Sequence, residues 1–271
     1  MEFNNILFEV KDHIAIVTLN RPQKLNAVTA ESYAELERVA DMVAKDDDIR
    51  VLLLRGQGDN FSSGFDVGTD LKKGEEPIYH RWDRLQEELQ SYKKLFHLPK
   101  PTVSAVDGYC LGAGFELALI SDFVIAADTA RFGTPQIRHC MMPLVRTIWS
   151  FNTVSQAKAS LMLGERYDAY KAQEMGLVYK VVPQADFEKE YMLLAKKLSR
   201  LPKETMRMIK QLCNKTMELQ GYDTIDHWGM DMCALSMLMV PEERQKFNEV
   251  AERDGMRAAL KWMNSYFDCK E

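Results

Sequence analysis

Apolar and polar residues alternate in blocks along the chain, and the blocks change period in a regular way. Ile6 to Val10 and His13 to Leu19 have the composition and length of strands, and the polar Lys11-Asp12 between them predicts a hairpin turn. Thr29 to Lys45 switches to helical spacing, with Val39, Met42 and Val43 on one face and acids on the other. Val51 to Leu54 is continuously apolar, as a strand buried on both faces should be. Thr102 to Val106 predicts another strand, followed by a glycine-punctuated loop and a helix-like Glu116 to Leu119. Phe123 to Ala126 and Leu177 to Val182 predict two more strands, the second after a helix stop at Gly176. Strand, glycine loop and helix in repetition mean an α/β core of crossover units.

From Asp186 onward only helical periodicity remains. It covers Phe187 to Leu201, Lys203 to Leu219, Thr224 to Val240 and Glu242 to Trp262, with breaks at Pro202, Gly221 and Pro241. The expected organisation is a core over 1–185 and a helical region over 186–271. The helical part is rich in methionine, which suits adaptable packing or subunit contact better than a cofactor box.

Composition narrows the function. The 271 residues are 46% hydrophobic and 28% charged, enough to bury a core without a metal or disulfide staple. Lys and Arg number 35 against 40 Asp and Glu, so the net charge of −5 argues against nucleic acid or an anionic membrane as partner. Five scattered cysteines with no C-x-x-C pair argue against a disulfide framework and against zinc, and the five histidines show no metal spacing. No apolar run spans a bilayer and no secretory signal opens the chain, so the expected location is the cytoplasm.

Two segments carry candidate chemistry. Phe61-Ser62-Ser63-Gly64-Phe65-Asp66 follows one predicted strand, and Gly108 to Glu116 follows another. Ligands of open α/β sheets bind at such strand ends, and small residues let a ligand oxygen approach backbone amides. Side by side, the two loops would converge two N–H groups on a thioester or ester carbonyl; singly, each is an ordinary tight turn. Glu116, three residues after Ala113, would stand near that oxygen and could move a proton at the adjacent carbon. The alternative is a first-turn glutamate favoured by the helix dipole, against which its apolar neighbours argue. Gly112-Ala113-Gly114 does not complete a dinucleotide fingerprint, since Leu117 replaces the third small residue and no strand is expected to run into it. Ser62 and Ser63 lack a G-x-S-x-G elbow.

Taken together, Asn20-Arg21-Pro22, Leu25-Asn26-Ala27, Phe61 to Asp66, Ala105 to Glu116 and Phe132-Gly133-Thr134-Pro135 closely resemble the enoyl-CoA hydratase/isomerase (crotonase) family, in order and spacing. The resemblance implies an α/β fold made of a ββα spiral with a C-terminal helical trimerisation region. It further implies acyl-CoA substrates, no metal or redox cofactor, and a homotrimer or dimer of trimers. Ser63 and Ala113 match the positions whose amides form the family's oxyanion hole, and Glu116 matches one of two catalytic glutamates. Ser63, Gly64, Phe65 and Asp66 are implied at the thioester end, Lys24, Leu25 and Ala27 near the CoA tail, and Gly112 among the substrate-binding residues. The chain departs from the pattern at Gln136, where hydratases carry the second glutamate. It departs again over Arg138 to Thr147, bulky and charged where a glycine-rich turn is usual.

Those departures keep several activities open. Hydratase-like chemistry would use Glu116 with Gln136 or His139 assisting. An isomerase would need Glu116 alone. A C–C or thioester hydrolase could use Arg138 or Arg146 to hold a substrate carboxylate, and a non-catalytic CoA-thioester binder would also fit a glutamine at 136.

Overall fold

A computed structural model describes residues 3–66, 78–143 and 145–268 of the chain. Strands β1 (Ile6–Lys11) and β2 (Ile14–Leu19) form the antiparallel hairpin. Its turn is Asp12-His13 rather than Lys11-Asp12. Both residues have positive φ, 51° and 66°, the conformation a two-residue turn needs to match strand twist. His13 Nδ1 lies 2.8 Å from the Asp48 carbonyl oxygen, a contact that helps hold it there.

Helix α1 (Ala30–Lys45) starts on a capping box in which Thr29 and Ser32 each accept from the other's amide. β3 (Val51–Gly56), β4 (Thr102–Val106), β6 (Phe123–Ala127) and β9 (Lys180–Val182) extend the hairpin into a six-stranded sheet of order β1-β2-β3-β4-β6-β9, parallel from β2 onward. The last strand is shorter than the Leu177 to Val182 run suggested. Three short strands, β5 (Tyr109–Leu111), β7 (Arg131–Gly133) and β8 (Arg166–Asp168), build a second sheet of order β5-β7-β8. Each spiral turn thus gives one strand to the large sheet and one to the small: β4 then β5, β6 then β7. The segment 61–66 joins the same layer through the Ser62–Cys110 and Val28–Phe65 bridges.

Helix α2 (Ile78–Phe96) was not anticipated, although Leu85, Leu89 and Tyr92 repeat at its buried face. Helix α3 (Ala113–Leu119) follows β5 directly, so a strand does run into Gly112, contrary to expectation. Helices α4 (Val154–Leu163) and α5 (Ala169–Glu174) precede β9. The C-terminal helices are α6 (Phe187–Ser199), α7 (Lys203–Leu219), α8 (Tyr222–Leu238), α9 (Glu242–Asp254) and α10 (Met256–Phe267). The single helix expected over Glu242 to Trp262 is two, parted at Gly255, whose φ of +88° lies outside the helical region.

The central strands of the large sheet, β2, β3 and β4, are buried on both faces, and their side chains alternate between two cores. Ile14, Ile16, Val51, Leu53 and Val103 face Tyr191, Ala195 and Leu198 of α6. Ala15, Val17, Leu52 and Leu54 face the other way, into a core shared by α1, α2, α3 and α8. Helices α9 and α10 have a small core of their own, Phe247, Val250, Ala259 and Met263. Among the described residues no helix is long and apolar enough to cross a membrane.

Candidate active site

The small sheet brings the two chemically suspect segments together. β5 and β7 are parallel neighbours in the register Leu111–Gly133. Glu116 lies five residues past Leu111 and Gln136 three past Gly133, so the two side chains emerge side by side. Gln136 Nε2 donates to Glu116 Oε1 at 3.0 Å, and Glu116 is buried, only 4% exposed. With Nε2 donating, Gln136 Oε1 is left buried with no protein partner among the described residues.

Both flank a cavity of about 440 Å³. Its floor is Ser63, Gly64, Phe65, Gly112 and Ala113, and Leu25 stands at its edge. Lys24, Ala27 and Asp66 do not line it. Lys24 is exposed on a 3₁₀ turn, the Ala27 carbonyl accepts from Arg21 Nη1 at 2.6 Å, and Asp66 pairs with Arg21 Nη2 at 2.8 Å, which ties the 21–27 loop to the 61–66 segment.

Two loops can touch this closely only through glycine. A Cβ on Gly64 would sit 2.9 Å from the Leu111 carbonyl oxygen, and one on Gly114 2.6 Å from Ser62 Cβ. Ser62 N–H donates to the Tyr109 carbonyl and Leu111 N–H to the Ser62 carbonyl, locking the loops together.

This lacing corrects the assignment of Ser63. Its amide donates to the Leu25 carbonyl at 2.9 Å and is not available to a ligand. Val28 N–H binds the Gly64 carbonyl and Asp66 N–H binds the Val28 carbonyl, both on one side of the segment. In a parallel bridge of that pattern the amide of the middle residue, Phe65, points to the opposite side. There Ala113 N–H opens helix α3, one of the orphan donors at a helix start. Among the described residues neither the Phe65 nor the Ala113 amide has a protein acceptor.

Behind Ala113 stands a buried polar stack. Tyr92 donates to the Ala113 carbonyl at 3.2 Å and meets the Tyr33 hydroxyl at 2.8 Å. Burial pushes both phenols well above 10, so they stay protonated. The Arg146 guanidinium lies 4.5 Å from the Tyr92 ring centre, with Nε 3.3 Å from Asp226 Oδ1; both side chains are 1% exposed. Arg146 is therefore structural and does not line the cavity. Arg138 is likewise engaged, with Asp268 and the Leu163 carbonyl. The cavity arginines are instead Arg81, Arg84 and Arg166. His139 does line the cavity, three residues beyond Gln136, and burial, then Arg166 and Arg138, pushes its pKa down.

Sequence reasoning missed the wall built by α2, which contributes Arg81, Arg84, Leu85 and Glu88. The usable signal was the repeat Leu85, Leu89, Tyr92, which fixes the polar positions on its flank. Among the described residues no group of three or more His, Cys, Asp or Glu is placed to hold a metal ion.

Comparison with known proteins bears on this geometry. Residues 9–234 match the family model described as enoyl-CoA hydratase/isomerase. A probable enoyl-CoA hydratase of Mycobacterium bovis is 33% identical over 222 residues, 80% of this chain and 84% of that protein. The (E)-benzylidenesuccinyl-CoA hydratase of Thauera aromatica is 32% identical, over 83% of this chain and 90% of that protein. The crystal structure of an enoyl-CoA hydratase/isomerase from Xanthobacter autotrophicus Py2 superposes with a TM-score of 0.93 at 29% identity, covering 98% of this chain and 99% of that one. An enoyl-CoA hydratase from Mycobacterium smegmatis gives 0.89 at 27% identity, over 97% and 94%. With the laced loops, the strand pairs of the spiral and matches of this extent, the chain belongs to the enoyl-CoA hydratase/isomerase family and has its crotonase fold.

Proposed function

We propose that this protein adds water to, or removes it from, an acyl-CoA thioester, with Glu116 as acid/base. The thioester oxygen sits between the Phe65 and Ala113 amides, which stabilise the enolate formed when charge moves onto it. Glu116, one helical turn past Ala113, exchanges a proton at the carbon beside the carbonyl. Gln136 cannot take part in proton transfer. It positions Glu116 through Nε2 and presents Oε1 as an acceptor for a water hydrogen. This chemistry calls on no metal or redox group.

The observation that carries this reading is the Gln136–Glu116 hydrogen bond of 3.0 Å inside a cavity floored by two amides without protein acceptors. The hydratase names of the relatives support it. Lys24, exposed beside Leu25, suits the CoA phosphates, and Ala27 packs that loop. The exposed apolar side chains of α7, Met208, Ile209, Leu212 and Leu219, suit subunit contact in a trimer or dimer of trimers.

A second reading has its own support: with a carboxamide at 136, Glu116 alone suffices for double-bond isomerisation. Product mass separates the two. Incubated with crotonyl-CoA and longer enoyl-CoAs, a hydratase yields the mass of substrate plus water, and an isomerase yields unchanged mass with a shifted double bond. Glu116→Gln should lower either turnover by about 10²–10⁴-fold while thioester affinity is kept. Full turnover in that variant would refute the assignment.

A further inference from the structure

Position 136 holds an amide, yet the cavity contains a second carboxylate. Helix α2 turns Arg81, Leu85 and Glu88 toward the cavity at spacings of four and three, one stripe of a helix. Four residues further on the same stripe is Tyr92, whose hydroxyl holds the Ala113 carbonyl. Glu88 therefore stands about 6 Å along the helix from the residue that braces the oxyanion peptide. The same cavity is lined by Arg81 and Arg84 of this helix and by Met141, Met142, Cys233, Met237 and Leu260. A titratable side chain that lines a cleft beside a second carboxylate is a candidate for proton transfer. Glu88 and Glu116 act on the same groups. The Cys233 thiol is pushed up to about 12 by burial, then by Glu116 and Glu88, and both carboxylates also act on Tyr33 and Tyr92.

We propose that Glu88 is the second acid/base of this site, taking the proton from the water that adds at the β-carbon while Glu116 serves the α-carbon. This rests on the hydratase reading above. In the addition, the water oxygen bonds to the β-carbon as Glu88 accepts one of its protons. The double-bond pair moves through the α-carbon onto the thioester oxygen, held by the Phe65 and Ala113 amides. The enolate then takes a proton at the α-carbon from the Glu116 carboxyl. Glu88 leaves protonated and Glu116 ionised, and one proton returns from the first to the second through solvent, so the net change is one water added. The division of labour follows from the elements: Glu116 is one turn past the Ala113 amide on α3, and Glu88 lines the same cavity from α2.

The test separates the two carbons. Hydration of crotonyl-CoA and cinnamoyl-CoA reports on both; deuterium uptake at the α-carbon of butyryl-CoA in D₂O needs only Glu116 and the two amides. Glu88→Gln should lower hydration by about a hundredfold or more and leave α-exchange within about threefold of wild type. Glu88→Asp should recover part of the loss, and Glu116→Gln should lower both reactions by about 10²–10⁴-fold. Tm of each variant checks folding. Hydration unchanged in Glu88→Gln overturns the proposal, and so does a parallel fall in both reactions, which would make Glu88 a structural residue. A wild type that exchanges the α-proton but hydrates neither probe also overturns it, while leaving the Glu116 assignment standing. A wild type that does neither removes the hydratase reading itself.

Discussion

Gly114→Ala tests how closely the two loops must touch. The added Cβ would lie 2.6 Å from Ser62 Cβ, 2.8 Å from its Oγ and 2.9 Å from its carbonyl oxygen. Carbon atoms rest at about 3.5–4.0 Å, so the loops must part by about 1 Å. Overpacking of this kind costs about 1–3 kcal/mol, offset by up to about 1 kcal/mol of helix propensity gained over glycine. The net loss, about 1–2 kcal/mol, corresponds to a Tm drop of a few degrees for a chain of this size. Activity should suffer far more. The same shift moves the Ala113 amide relative to Phe65, and a misplacement of about 1 Å in a reacting array costs about a hundredfold in rate. Differential scanning fluorimetry and kcat/KM on an accepted enoyl-CoA read the two quantities side by side. Ser62→Gly in the Gly114→Ala background removes the opposing Cβ and should restore part of the rate. Recovery stays partial because Ser62 Oγ accepts from Gly64 N–H at 3.2 Å. If kcat/KM falls no more than the stability loss explains, or the second change rescues nothing, contact between the loops does not set the amide spacing.

Other consequences are more local. Arg146→Ala leaves Asp226 charged and buried, and should destabilise by about 3–5 kcal/mol in urea melts, whereas Arg146→Met with Asp226→Leu should come close to wild type. A double variant as unstable as the single one would contradict this. For His139, burial holds the folded pKa below the usual 6.5, so the unfolded chain binds more protons between those two values. Its contribution to stability is therefore complete above pH 6.5 and is lost as pH falls through the folded pKa. His139→Asn should flatten that part of a stability–pH curve, and an unchanged slope would place the acid sensitivity elsewhere.

Much of the sheet could be read from the chain because strands buried on both faces are written as unbroken apolar runs; Val51 to Leu54 is the clearest. The short strands were not legible, since three residues such as Arg131 to Gly133 carry no period. With β5 missing, the helix start at Gly112 looked unsupported. The break at Gly255 was passed over because Trp262 continues a helical spacing across it. At the site, Glu116 stood out by its distance from a small-residue loop. The choice between the Ser63 and Phe65 amides depends on which side of the segment each faces, and that follows from pairing with Val28, which no local motif encodes. Glu88 was hidden for a related reason: one of three acids on a charged helix becomes distinct only when the cavity shows which stripe lines it.

The helical hairpin of α9 and α10 meets the 3₁₀ turn 135–139 through Arg138–Asp268 and the edge contact of His139 with Phe247 at 6.4 Å, and it lends Leu260 to the cavity. Its own apolar core is separate from those flanking the large sheet. Substitutions within such a module add almost independently to those in the sheet. On the hydratase reading, the part of the cavity wall that this hairpin lends can be varied in size and polarity from the C-terminal helices, while Glu116 keeps its place on α3. On that reading, chemistry and selectivity would reside on separately adjustable parts of one chain, so that substrate range could change without rebuilding the catalyst.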